Sequence, residues 1–146
     1  MNDSDTPFDE AHLRAAYAAL RRRATALEEQ VPPRLQRISD VLHRIGGQSE
    51  LADDYRAMLV GARNAAMLAI ENYHQAIPFL HTAESILEQM DKTPEQEADE
   101  EWREALLQRL LELIDVAATM VDDAEAHDEQ ANDPDPESIP PSILDA

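Results

Sequence analysis

Residues 49–90 read as one helix of about forty residues, and a helix of that length leaves the rest of the chain little choice but to lie along it. Apolar residues recur at Leu51, Tyr55, Met58, Ala62, Ala66, Ala69, Tyr73, Ile77, Leu80, Ala83, Leu87 and Met90. Every step is three or four, which lines one face of an α-helix. Ser49 stands as N-cap, and Glu50, Asp53 and Asp54 put negative charge where the helix dipole favours it. Ala62, Ala65, Ala66 and Ala69, with Gly61 beside them, keep the middle thin enough for close approach by a neighbour. Pro78 removes a backbone donor and crowds the carbonyl four residues back, which predicts a kink near residues 74–78 or a full break there.

The segments on either side are helical too. Thr6-Pro7 opens a first helix over about residues 7–30, with Pro7 at its first position and Asp9 where a capping-box acid would stand. Its stripe is Leu13, Tyr17, Leu20, Ala24, Leu27 and Val31, at heptad spacing. Val31-Pro32-Pro33 is expected to end it. A second helix, 34–45, carries Leu35, Ile38, Leu42 and Ile45 and stops at Gly46-Gly47. These two together match the central helix in length, as one broken rod. After Asp91-Lys92, Thr93 as N-cap, Pro94 and Gln96 predict the start of a last helix over 94–127. It bears two stripes. Trp102, Leu106, Leu110, Leu113, Ala117, Met120 and Ala124 form one, and Leu107, Leu111, Ile114 and Val121 lie beside it as a possible oligomer face. Residues 129–146 hold four prolines and no apolar period, the composition of a disordered acidic tail. Its final Ile143-Leu144 pair suits a short docking motif or a floppy end.

The fold class expected is therefore all-α: an elongated antiparallel bundle of three to four helices in a single domain over residues 1–128, with a disordered C-terminal tail. Composition agrees. Hydrophobic residues make up 43% of the chain but aromatics only 4%, and three glycines are too few for an all-β or dinucleotide-binding fold. With no cysteine there is neither disulfide, nor thiolate ligand, nor thiol nucleophile. The polar, acidic start is unlike a signal peptide, and no apolar run is long enough to span a bilayer, so a cytoplasmic protein without membrane contact is expected.

The formal net charge of −19 argues against direct binding of nucleic acid, which needs Lys and Arg for its phosphates. The charge is unevenly placed. Residues 11–47 carry seven arginines against Glu28, Glu29 and Asp40, while residues 93–128 carry twelve acids against Arg103 and Arg109. An antiparallel bundle would let these two segments pair, each exposed pair contributing about 0–1 kcal/mol. The cluster Arg14, Arg21, Arg22, Arg23, Arg34 and Arg37 is read as part of that pairing rather than as an anion or RNA patch, because only Tyr17 is interleaved with it. Even so paired, the last helix keeps an acidic excess.

Two groupings carry possible chemistry. Glu71 and His74 have the Glu-x-x-His spacing of di-iron carboxylate bundles, and His81 and Glu84 follow on the same side, which makes a carboxylate–histidine metal site conceivable. A second Glu-x-x-His, which such a site requires, is missing. Glu101-x-x-Glu104 and Glu112-Leu-Ile-Asp115 resemble, over about fifteen residues, the magnesium-binding motifs of the MazG-like all-α nucleotide pyrophosphohydrolases. That resemblance implies Mg²⁺ and phosphoanhydride hydrolysis, but here the two motifs stand on one helix and cannot face each other across an ion. The chain also resembles in outline the helical-hairpin proteins of type VII secretion, although its turn, Asp91-Lys92-Thr93-Pro94, lacks their Trp-x-Gly.

The sequence thus points to a non-enzymatic acidic helical protein with no cofactor. It would neutralise or chaperone a basic protein partner, in the manner of an immunity protein, antitoxin, inhibitor or nucleic-acid mimic. The residues expected to meet that partner are Glu97, Asp99, Glu100, Glu101, Glu104, Glu112, Asp115, Asp122 and Asp123. The alternatives are a structural or secreted helical hairpin that forms a homodimer through the last helix, and a metal-dependent bundle enzyme at Glu71, His74, His81 and Glu84.

Overall fold

The computed structural model describes residues 9–93, 99–132 and 135–144. It is an all-α, three-helix bundle: α1 is Glu10–Arg44, α2 is Glu50–Lys92 and α3 is Glu100–Ala131, followed by 3-10 turns at Pro136–Ser138 and Pro141–Ile143. No strand occurs among the described residues; the one β-type contact is an isolated antiparallel bridge between Ile45 and Leu144.

The cap at Ser49 forms as the sequence predicts, its hydroxyl accepting from the Ala52 N–H at 3.1 Å. The two other expected caps, at Thr6 and Thr93, rest on residues outside those described. Residues 6 and 7 are outside the described residues, and α1 is capped by Asp9, whose carboxylate accepts from the Ala11 N–H at 3.2 Å. Residues 94–98, including Pro94, Gln96 and Glu97, are also outside them. The described part of α3 is capped by Asp99, which accepts from the Glu101 N–H at 3.1 Å. The Thr93 hydroxyl instead donates back to the Gln89 carbonyl at 2.8 Å.

The expected break at Val31-Pro32-Pro33 does not occur: α1 runs through both prolines. The apolar spacing explains why. Leu27, Val31, Ile38 and Ile45 keep one heptad phase across the pair and all are buried, so ending the helix there would pull one side of the stripe out of the core. Both prolines face solvent. The missing N–H groups orphan the carbonyls of the exposed residues Glu28 and Glu29, which water can satisfy. Proline in a helix interior is about 3 kcal/mol less favourable than alanine, partly offset by its stiffening of the unfolded chain. Pro32→Ala/Pro33→Ala is therefore expected to stabilise the protein by about 1–3 kcal/mol, read as a higher midpoint in urea with an unchanged slope. No change, or a loss, would contradict a continuous α1. Pro78 likewise lies inside α2 without interrupting it, and the Thr82 hydroxyl donates to its carbonyl at 3.0 Å.

The central stripe is in phase over most of α2 but one residue out at its start. Leu51 and Met58 are exposed, 46% and 45%, while Ala52 and Leu59 are fully buried. The buried set Ala52, Leu59, Ala66, Tyr73, Leu80 and Leu87 is a strict heptad, accompanied by Ala62, Ala69, Ala76, Ala83 and Met90. Placing Leu51 and Met58 inward would have demanded a step of eight from Met58 to Ala66, where the seam takes seven from Leu59.

The helices divide between two compact units, Met1–Thr25 with His74–Val121, and Ala26–Tyr73 with Asp122–Ala146. In the first, Leu13, Leu20 and Ala24 of α1, Leu80, Ala83 and Leu87 of α2, and Leu107, Leu110, Ile114, Ala117 and Val121 of α3 are buried. Arg14 of α1 donates to Asp91 of α2 at 2.7 Å, and Arg103 of α3 to Glu10 of α1. In the second, Val31, Ile38, Leu59, Ala66 and Tyr73 are buried together with Ala124 and Ala131 of α3. Here Gly47 turns the chain from α1 to α2 at φ +85°, a conformation open to glycine at little cost, and its carbonyl accepts from Arg56 at 3.1 Å.

Residues 135–144, within the segment expected to be a disordered tail, belong to the second unit. Ile139 and Ile143 are buried, each worth about 1.5–3 kcal/mol, and the Gly46 N–H donates to the Ile143 carbonyl at 2.9 Å. Pro136, Pro140 and Pro141 reduce the entropy lost on fixing the segment.

Candidate protein-binding face on helix three

At 100° per residue, Glu101, Glu104, Glu112 and Asp115 fall within an arc of about 80° on α3, and all four are exposed. The buried residues Leu107, Leu110, Ile114 and Ala117 lie on the opposite side. Glu100 is exposed at the edge of the arc, and Asp99 is exposed but engaged as the cap. Glu112 accepts from Gln108 at 3.1 Å. Among the described residues, no basic side chain lies within salt-bridge distance of Glu100, Glu101, Glu104, Glu112 or Asp115. Val116, 41% exposed, and Arg109 border the group. In the second unit Asp122 and Asp123 are exposed on α3. Of the expected set, Glu97 alone lies outside the described residues.

The expected pairing of α1 arginines with α3 acids is realised in Arg34–Asp128, whose side chains are only 16% and 14% exposed. Both positions continue a heptad seam: Arg34 follows Val31 by three, and Asp128 follows Ala124 by four. The pair is a charged layer among the buried positions Val31, Ile38, Ala124 and Ala131, a device that can fix register at some cost in stability. Arg14 goes to Glu10 and Asp91 instead, and Arg103 pairs with Glu10 in the reverse sense. Burial alone would lower the Arg14 pKa, but the bonds and charges of Asp91 and Glu10 outweigh it and raise the value further. Tyr17, hydrogen-bonded to Glu84 at 3.5 Å, is pushed above the ordinary phenol range by burial and by the Glu84 charge.

Leu107, Ile114 and Val121, the possible oligomer face, are buried within the chain, and Leu111 is half-buried. Two neighbours, α1 and α2, require two stripes on α3, which is why its apolar surface is so broad. Glu71, His74, His81 and Glu84 are all exposed. No cluster of three or more His, Asp or Glu able to hold a metal ion is found among the described residues, and Glu101, Glu104, Glu112 and Asp115 do not converge into one either. No described helix is long and apolar enough to cross a membrane.

Compared with known proteins, the chain matches no protein-family model, no curated protein and no solved structure.

Proposed function

We propose that this is a non-enzymatic, cytoplasmic binding protein that captures a basic protein through the carboxylates of α3, as an inhibitor or chaperone. One observation carries the reading: Glu101, Glu104, Glu112 and Asp115 stand exposed on one side of α3 without an ion pair among the described residues, while the helix's other side is committed to the core. Carboxylates left in this state by the fold keep their charge for an external cation. The net charge of −19 would speed encounter with such a partner and repel nucleic acid.

The test is capture from a lysate of the source cell by full-length bait, with mass-spectrometric readout. Glu101→Lys/Glu104→Lys/Glu112→Lys/Asp115→Lys is expected to lose a basic protein that wild type retains, by at least about a hundredfold in affinity, since several charge pairs reverse at once. Reversal of Glu71, exposed on α2, should leave capture intact. Equal recovery by wild type and the α3 variant would sink the proposal. The α3 variant should fold normally, because none of the four side chains is buried.

A further inference from the structure

We propose that residues 135–144 are a releasable strap, and that the seat they occupy beside Ile45 and Gly46 is a binding site for a proline-rich, turn-forming peptide with acidic residues followed by two aliphatic anchors four apart. The segment's own bonds are mostly internal. Ser138 N–H donates to the Asp135 carbonyl at 2.9 Å, Ile143 N–H to Pro140 at 3.2 Å and Leu144 N–H to Pro141 at 3.1 Å. Among the described residues, one main-chain bond ties it to the helices, from the Gly46 N–H to the Ile143 carbonyl. The bridge between Ile45 and Leu144 extends this contact in antiparallel fashion. The remaining attachment is the burial of Ile139 and Ile143.

A short turn-forming peptide can dock on a folded receptor in this way, with main-chain pairing at one point and two aliphatic side chains buried. The occupant's acidic end has a counterpart as well. Asp135 and Glu137 line a half-open cleft of about 370 Å³ together with Arg34 and Arg37. The seat therefore selects on two counts, negative charge beside Arg37 and then two aliphatic side chains, with Pro140 and Pro141 stiffening the turn between them. An attachment this sparse belongs to the low-stability end of a fold, where local opening precedes global unfolding. While docked, the strap competes from a short tether at millimolar effective concentration, so a partner segment gains the seat only when the strap lets go.

Two measurements on the full-length protein test this. In wild type, the Gly46 amide should exchange with solvent at least about a hundredfold faster than the amide of Ala66 in mid-α2, because strap release exposes it without unfolding the helices. Equal rates would overturn the proposal. A labelled synthetic peptide of residues 135–144 should bind Ile139→Ser/Ile143→Ser, which frees the seat, at least about tenfold more tightly than it binds wild type. Binding to neither protein, or equal binding to both, would overturn it. If the double variant does not fold, the Gly46 exchange rate in wild type decides alone.

Discussion

Asp128→Ala is expected to destabilise the protein by about 3 kcal/mol, because it leaves the Arg34 guanidinium in a heptad seam with its carboxylate gone. Loss of one partner from a buried pair costs about 3–5 kcal/mol, and the lower end applies here because each side chain keeps some contact with water. The companion variant separates this cost from the worth of the pair. Arg34→Met/Asp128→Leu fills the same seam positions with apolar groups and is expected to match or exceed wild type in urea unfolding. If both variants lose stability equally, the pair is a net stabiliser. If neither loses any, Arg34 and Asp128 do not occupy the seam. The double variant further predicts a looser choice of register, seen as broadened amide resonances for α3, if the charged layer specifies alignment.

Leu110→Ala is expected to cost about 3–4 kcal/mol. Leu110 is fully buried on the side of α3 opposite the carboxylates. Truncation removes three carbons' worth of transfer free energy and leaves a cavity, which together cost about 2–5 kcal/mol for leucine. Leu80 and Leu87 are buried in the same compact unit, on a strict heptad whose positions are fixed by α2, so collapse into a void there is limited. Leu106→Ala, at a half-buried position of the same helix, should cost clearly less. Equal losses at the two positions would show that α3 is rotated from the orientation described. Binding of the basic partner should survive both changes wherever the protein remains folded.

The three-helix, all-α class was legible because heptad spacing is long, repeated and insensitive to single errors. The caps were legible only where one residue type dominated, as at Ser49. Pro32 and Pro33 misled because a local rule was set against a global one. Two prolines argue for a stop, yet Val31 and Ile38 stand seven apart, and burial of both outweighs two lost backbone bonds. Leu51 and Met58 misled for the opposite reason, since steps of three and four admit two adjacent phases near a helix end. The burial of Ile139 and Ile143 was hidden because two apolar residues barely register in composition. Of the proposed binding face, the exposure of Glu101, Glu104, Glu112 and Asp115 follows from their helical phase relative to Leu107 and Leu110. The Arg34–Asp128 pair was available in principle from heptad counting, but the stripe chosen for α3 placed Leu113 and Met120 in the seam instead of Ile114 and Val121.

Carboxylate labelling of the complex, with mass-spectrometric mapping of each modified residue, tests the binding claim most directly. Once the captured basic partner is purified, Glu101, Glu104, Glu112 and Asp115 are expected to lose reactivity in the complex at low salt and to regain it as salt is raised. Glu71 and Glu84 on α2 should react equally in both states. Protection of the α2 carboxylates with unchanged reactivity across α3 would contradict the account.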